Sequence, residues 1–282
     1  MKKFFALLLT GALALGAAGC GSKDEAADAN KAEGAETKAE AVTLKIGASP
    51  TPHAEILNAA KEELAAKGIN LEIIEFTDYV QPNLAVDGGD LDANYFQHLP
   101  YLDSFNEEHG TKLVSLGTVH YEPMGIYSTS VTDLADVPDG AKVGIPADGT
   151  NGGRALLLLE ANGLIKLDPA AGISATKLDI KENPKNIEII EMEAAQLPLS
   201  IGDLGLAVIN GNYAMQNGLK TEDALAIEAA DSVAATTYAN IVAVREGDET
   251  RPELVTLMEV LNSQTVADYI NNTYGGAVAP TF

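Results

Sequence analysis

The stretch LKIGASPTPHAEILNAAKEELAAKGINLEIIEF, residues 44–76, decides the fold class of this chain. Its first residues, Leu44–Ala48, form a short apolar run that predicts a β-strand. A helix is predicted from Pro52 to about Lys67, followed by Gly68, because apolar residues recur on one face at Ile56, Leu57, Ala60 and Leu64. Asn70–Phe76 predicts a second strand. A strand, a helix and a strand in this order indicate an α/β fold.

The same alternation continues to the C-terminus. Further strands are predicted at 92–96, 142–146, 187–190, 204–209 and 239–244, and further helices at 99–109, 154–162, 211–216, 252–262 and 265–273. Alternation of this kind predicts a mostly parallel sheet with helices on both faces.

The length of 282 residues is sufficient for two lobes of ordinary size. We predict that residues 42–128 and 241–282 form the first lobe and that residues 129–240 form the second. In such folds a ligand binds in a cleft between the lobes, beyond the carboxyl ends of the strands.

The N-terminal residues predict an export signal followed by a lipid anchor. A positively charged N-terminus and an apolar run that is too short to span a bilayer predict a signal peptide over residues 1–19. The single cysteine, Cys20, follows small residues as in a bacterial lipobox, although Ala17 stands where the usual box has leucine. We therefore predict lipidation at Cys20 and a location at the cell membrane, on its extracytoplasmic face. Residues 21–41 contain no large apolar residue and predict a disordered tether.

The composition and the motifs argue against several classes of function. The chain has 41 Asp and Glu residues against 18 Lys and Arg, a balance that disfavours nucleic-acid binding and polybasic attachment to anionic lipid. The sequence contains no H-E-x-x-H, G-x-S-x-G or Walker motif, and its four histidines lack metal-ligand spacing. We predict a protein that is not an enzyme and that uses no metal, cofactor or nucleic acid.

Arg154 is the charged residue that most favours a binding site. It follows a Gly-rich turn predicted at 147–153 and precedes the apolar run Ala155–Leu159. Free N–H groups at such a turn can cradle an anion, and a guanidinium can hold a carboxylate through two parallel hydrogen bonds. The alternative is an arginine on the surface of a helix start. The other arginines, Arg245 and Arg251, lie in or beside a charged turn and are predicted to be solvated.

Six segments resemble one known family, and they occur in that family's order. They resemble the methionine-binding lipoproteins of ABC importers, the NlpA/MetQ family, and they lie at Ile46–Leu57, Asp92–Leu102, Glu122–Ser128, Asn151–Leu159, Ile209–Ala214 and Tyr238–Val242. The resemblance runs from about Val42 to the C-terminus. It implies a two-lobed periplasmic-binding fold that captures methionine and delivers it to the permease and ATPase of an importer.

The resemblance also implies roles for individual residues. Arg154 would hold the ligand carboxylate with help from Asn151, and the side-chain oxygens of Asn210 and Asn240 would take the ammonium group. A thioether prefers aromatic edges, and the wall around it would consist of Tyr79, Tyr95, Phe96, His98 and Tyr121.

Some alternatives remain open at this stage. Adjacent strand residues face opposite ways, so either Tyr95 or Phe96 is expected to be core. His98 could instead cap the helix that follows it, and His53 is expected to be structural. The ligand could be another small amino acid or a methionine-containing dipeptide. An enzyme on the same lobes would need a nucleophile and a base in the cleft.

Overall fold

The computed structural model describes residues 41–229 and 233–282. The predicted signal peptide, Cys20 and nearly all of the predicted tether lie outside the described residues. Residues 44–76 form the predicted strand, helix and strand as β1 Val42–Ala48, α1 Glu55–Ala66 and β2 Ile69–Glu75. A short π-helical segment, Pro50–Ala54, precedes α1, so the α-helix begins three residues after the predicted start.

The other elements follow the predicted alternation, with one nine-residue strand, three helices and five short strands in addition. The remaining strands are β3 Ala93–His98, β4 Leu113–Tyr121, β5 Gly125–Tyr127, β6 Lys142–Pro146, β7 Lys166–Leu167, β8 Ile180–Glu182, β9 Glu188–Met192, β10 Leu206–Ile209, β11 Ala226–Ile227, β12 Asn240–Arg245 and β13 Ala279–Pro280. The remaining α-helices are α2 Gln81–Asp87, α3 Leu99–His109, α4 Gly149–Ala161, α5 Leu197–Ser200, α6 Gly211–Gln216, α7 Val233–Thr237, α8 Pro252–Leu261 and α9 Gln264–Tyr274.

Two larger mixed sheets organise these elements. The first has the strand order β13-β4-β12-β3-β1-β2 and the second β11-β5-β10-β6-β9, while β7 and β8 form a separate pair. The α/β class is confirmed, but the sheets are less parallel than predicted. The strand β12 is antiparallel to both β3 and β4, and β5 is antiparallel to β10 and β11.

The chain passes between the two sheets twice, from β4 to β5 and from β11 back to β12. The division into lobes remains a prediction, since Ala39–Phe282 forms one compact unit. The pairing of β5 with the second sheet would move the end of the first lobe from residue 128 to the segment between Tyr121 and Gly125.

Each sheet has its own apolar core. In the first, apolar residues of β1 share one buried cluster with those of α1, α8 and α9, and the buried face of α1 is the predicted one. In the second, apolar residues of α4 pack on β6 and β10, with Leu156 and Leu159 almost fully buried. Among the described residues, no helix combines the length and apolar character needed to cross a bilayer.

The start of α4 corrects one prediction. The glycines at 149–153 lie inside the helix and not in a turn before it, so Arg154 stands in the second turn. The side chain of Asp148 caps the helix by accepting a hydrogen bond from the Asn151 N–H. Glycine is needed at 153 because a Cβ there would lie 2.3 Å from the carbonyl oxygen of Ile173.

Candidate ligand-binding site

A small cavity of about 20 Å³ lies between the two sheets, beyond the carboxyl ends of β3, β4 and β10. This is the position that the sequence predicts for a ligand. The predicted residues that line it are Tyr79, Phe96, His98, Asn151, Arg154, Asn210 and Asn240. Residues not predicted to line it are Gln97, Tyr101, Glu122, Gly211 and Asn212. The cavity therefore receives polar and aromatic side chains from both sheets.

The guanidinium of Arg154 is buried and already has an anionic partner. Its Nε and Nη2 atoms donate to the two carboxylate oxygens of Glu228 at 2.7 and 2.5 Å, and Nη2 also donates to the carbonyl oxygen of Glu122 at 2.9 Å. Among the described residues, Nη1 has no such contact. The ring of Tyr238 lies 4.4 Å from the guanidinium carbon. One edge of Arg154 is thus fixed within the protein, and the residue also lines the cavity.

Glu228 is a site residue that the sequence does not reveal. It is buried, and it also accepts hydrogen bonds from the Tyr121 hydroxyl at 2.8 Å and from the Met124 N–H at 2.9 Å. Its partner Arg154 lies 74 residues earlier in the chain, and no local pattern distinguishes it from other glutamates. Tyr121 was predicted to belong to the wall of the cavity, but the structure places it behind the Arg154–Glu228 pair.

Both the oxygen and the NH₂ group of the Asn151 side chain have hydrogen-bond partners within the protein. Its Nδ2 donates to both carboxylate oxygens of Asp148, at 3.0 and 3.1 Å. Its Oδ1 accepts from Asn210 Nδ2 at 2.7 Å and lies 3.2 Å from His98 Nε2. The predicted contact between Asn151 and the ligand carboxylate is therefore not supported by the geometry. Asn151 instead connects Asp148 to Asn210.

Asn210 presents an acceptor to the cavity. Its Nδ2 is bound to Asn151, and its Oδ1 is buried without a hydrogen-bond partner in the described structure. A buried acceptor left without a donor is destabilising unless a ligand or water supplies one. This arrangement fits the predicted role of Asn210 as a partner for an ammonium group.

His98 caps α3, which was the alternative interpretation of this residue. Its Nδ1 accepts a hydrogen bond from the Tyr101 N–H, and its Nε2 faces Asn151. Burial lowers the pKa of His98 to about 3, so the ring is neutral at pH 7. His98 also lines the cavity, so it serves the helix and the site together.

Glu122 brings a second carboxylate to the cavity, immediately after β4. It is buried and lies 2.7 Å from His120 Nε2 and 3.5 Å from His53 Nε2. Burial raises the pKa of Glu122 and lowers the pKa of His53 to about 4 and that of His120 to about 3. Both rings are therefore neutral at pH 7. Because His120 and Glu122 are two residues apart along an extended segment, their side chains share one face, a signal that sequence reasoning could have used.

The orientation of Asn240 differs from the predicted one. Its Oδ1 lies 3.0 Å from His53 Nε2. The Glu122 carboxylate beside the same nitrogen favours a proton on it, so His53 donates to Asn240. The amide oxygen predicted to take an ammonium group is thus used by His53, and the Nδ2 donors of Asn240 are left for the cavity.

The fold brings together histidines that the sequence spacing keeps apart. Donor atoms of His53, His120 and Glu122 lie within 4.8 Å of one another, a set that a transition metal could use. Here hydrogen bonds join them to one another and to neighbouring residues, and the Tyr95 hydroxyl contacts His120 Nδ1. Glu122 of this cluster lines the cavity, so the cluster lies directly beside it.

The aromatic wall is smaller than predicted and includes a residue that was not predicted. The ring of Tyr79 lies 5.7 Å from that of Phe96, 5.8 Å from that of Tyr101 and 4.8 Å from that of Tyr213, between centroids. Tyr95 points away from the cavity into the core of the first sheet, because it alternates with Phe96 along β3. The expectation that one member of this pair is core is confirmed.

The family model described as NlpA lipoprotein matches residues 44–282. The chain belongs to the NlpA lipoprotein family. This match covers nearly all of the residues that form the two sheets and every residue of the cavity. The family resemblance of the six sequence segments is thereby confirmed.

Several relatives of this NlpA lipoprotein are known by sequence or structure. It is 41% identical to the methionine-binding lipoprotein MetQ of Bacillus subtilis, over 99% of each chain. A nutrient-binding protein from Burkholderia cenocepacia, solved bound to methionine, is 43% identical with a TM-score of 0.81, over 85% of this chain and 100% of that one. A periplasmic substrate-binding protein of an ABC transporter from Coxiella burnetii is 42% identical with a TM-score of 0.79, over 84% and 100% of the two chains. These likenesses confirm the predicted periplasmic-binding fold.

Proposed function

We propose that this protein is an extracytoplasmic binding lipoprotein that captures methionine and delivers it to an ABC importer. The observation that carries the proposal is one cavity lined by a cation, by hydrogen-bond acceptors and by aromatic rings. The guanidinium of Arg154 is the cation for a carboxylate, and Asn210 Oδ1 and the Glu122 carboxylate are acceptors for an ammonium group. The rings of Tyr79, Phe96 and Tyr101 suit a thioether.

The charges of the site support a zwitterionic ligand. Arg154 contributes one positive charge, and Glu228 and Glu122 contribute two negative charges when ionised. A free amino acid adds a cation beside Glu122 and an anion beside Arg154, so that each charged group has an opposite partner. The relative from Bacillus subtilis is named for methionine binding, and the relative from Burkholderia cenocepacia was solved with methionine.

Calorimetry on ligand-stripped protein tests the ligand. We expect saturable binding of methionine, with weaker binding of norleucine, which has the same length but no sulfur. Preference for another small amino acid or for a methionine-containing dipeptide would contradict methionine as the ligand and would support the alternative within the same fold. Turnover of amino-acid esters would contradict a purely binding role.

Delivery to an importer is the second half of the proposal. Its support is the relative from Coxiella burnetii, whose name assigns it to an ABC transporter. We expect purified protein loaded with methionine to stimulate ATP hydrolysis by its cognate permease and ATPase complex in vesicles. The ligand-free protein is the control, and no stimulation by the loaded form would contradict this role.

Lipid anchoring is expected at Cys20, so Cys20→Ala should release the protein from the membrane fraction. Methionine affinity should be unchanged, because Cys20 lies well before the first residue of β1. Fractionation, intact mass and calorimetry measure these outcomes, with Thr37→Ala in the predicted tether as the matched control. A wild-type chain without acyl additions, recovered free in the medium, would contradict the anchor.

A further inference from the structure

The amide of Asn210 can serve a ligand in two opposite ways. An asparagine side chain carries an acceptor oxygen and a donor NH₂ group, and rotation by half a turn exchanges them. If the oxygen faces the cavity, Asn210 binds an ammonium group; if the NH₂ group faces it, Asn210 repels one. Some feature of the protein must therefore fix this orientation.

Asp148 supplies the first constraint. Its carboxylate accepts hydrogen bonds and cannot donate them when ionised. Both of its oxygens lie within 3.1 Å of Asn151 Nδ2, so the NH₂ group of Asn151 must face Asp148. The oxygen of Asn151 is consequently directed to the other side, where Asn210 donates to it at 2.7 Å.

His98 supplies a second, independent constraint. Its Nδ1 accepts from the Tyr101 N–H, which leaves the proton of the neutral ring on Nε2. This N–H group faces Asn151 Oδ1 at 3.2 Å. A flipped Asn151 would set its NH₂ group against the donors of both His98 and Asn210.

We propose that Asp148 is a positioning residue that determines, through Asn151, that Asn210 presents an oxygen acceptor to the ligand's ammonium group. The last group in this series of hydrogen bonds is Asn210 Oδ1, which is buried and has no partner among the described residues. The inference rests on the proposed function, since it assumes a ligand with an ammonium group. It assigns Asp148 a role beyond the helix cap.

The simpler interpretation is that Asp148 only caps α4, where it accepts from the Asn151 N–H at 2.8 Å and from the Thr150 hydroxyl at 3.0 Å. Asparagine caps helices about as well as aspartate. Asp148→Asn therefore keeps the cap but places an NH₂ group beside Asn151, which removes the preference for one amide orientation. The two roles can thus be separated.

The test compares three ligands by calorimetry on wild-type protein and Asp148→Asn. The ligands are methionine, 3-(methylthio)propylamine, which lacks the carboxylate, and 4-(methylthio)butanoic acid, which lacks the amine. We expect affinities for methionine and for the amine to fall by about tenfold, the lower end of the range for one hydrogen bond to a charged group. The affinity for the acid should change by less than about twofold. Asp133→Asn, which alters the cap of the 3₁₀-helix Leu134–Asp136, should leave all three unchanged.

Two outcomes would overturn the inference. An equal loss for all three ligands would show that Asp148 acts only as a helix cap, and no loss for methionine would show that it does not orient Asn210. Asp148→Ser, which keeps a capping oxygen, provides the same comparison if the first variant does not fold. Failure of the wild-type protein to bind methionine is a different result, which would contradict the proposed function itself.

Discussion

Replacement of Arg154 by alanine is expected to weaken methionine binding by about a hundredfold or more and to lower the free energy of unfolding by about 3–5 kcal/mol. Affinity should fall because the ligand carboxylate would be withdrawn from water without a cationic partner. Stability should fall because Glu228, which accepts two hydrogen bonds from Arg154, would stay buried with an unpaired charge. Calorimetry and chemical denaturation measure the two effects.

Two further variants separate these effects. Arg154→Lys should not restore affinity fully, because an ammonium group cannot hold Glu228 through two parallel bonds and also reach the ligand. Combining Arg154→Met with Glu228→Gln removes both charges and should recover most of the lost stability, but not the binding. Wild-type affinity in Arg154→Ala would reject Arg154 as the partner of the carboxylate.

Glu122→Gln is expected to weaken methionine binding by about ten- to a hundredfold, the range for a lost hydrogen bond to a charged group. The change keeps the shape of the side chain and removes the negative charge beside the ammonium group. Glu188→Gln, on the exposed part of β9, is the matched control. Unchanged affinity in Glu122→Gln would show that the ammonium group binds elsewhere.

The pH dependence of affinity provides a second measurement on the same residue. Burial raises the pKa of Glu122, so its charge is present above that pKa and is lost as the pH falls through it. Wild-type affinity should thus decline on acidification, beginning at a higher pH than an ordinary carboxyl group would cause. His53 remains neutral until about pH 4. Glu122→Gln should lack the early decline.

The sequence predicted the elements well where their signals are local. Patterns of apolar and polar residues close together in the sequence are sufficient to predict the apolar face of α1, the residues of α3 and the order of strands and helices. The boundary of α4 was misplaced because glycine indicates a turn from the sequence alone. In the folded chain, Gly152 and Gly153 allow the helix to approach the backbone of Pro146 and Ile173.

The polar partners of the site could not be predicted in the same way. Glu228 meets Arg154 across 74 residues, and His53 meets Asn240 across 187. Neither pair leaves a pattern in the local sequence, because only the folded sheets bring them together. For the same reason the sequence identified Asn151 and Asn240 as site residues but could not tell which end of each amide faces the cavity.

The tyrosines of this protein provide an intrinsic spectroscopic signal for movement near the cavity. The chain has nine tyrosines and no tryptophan, so its near-ultraviolet fluorescence and circular dichroism arise chiefly from tyrosine. Tyr79 lies on the side of the first sheet, yet its hydroxyl donates to Asn212 at 2.6 Å and its ring contacts Tyr213, both on α6 beside the second sheet. A movement that separates Tyr79 from α6 would break these contacts, and it can be followed in the unlabelled, unmutated protein.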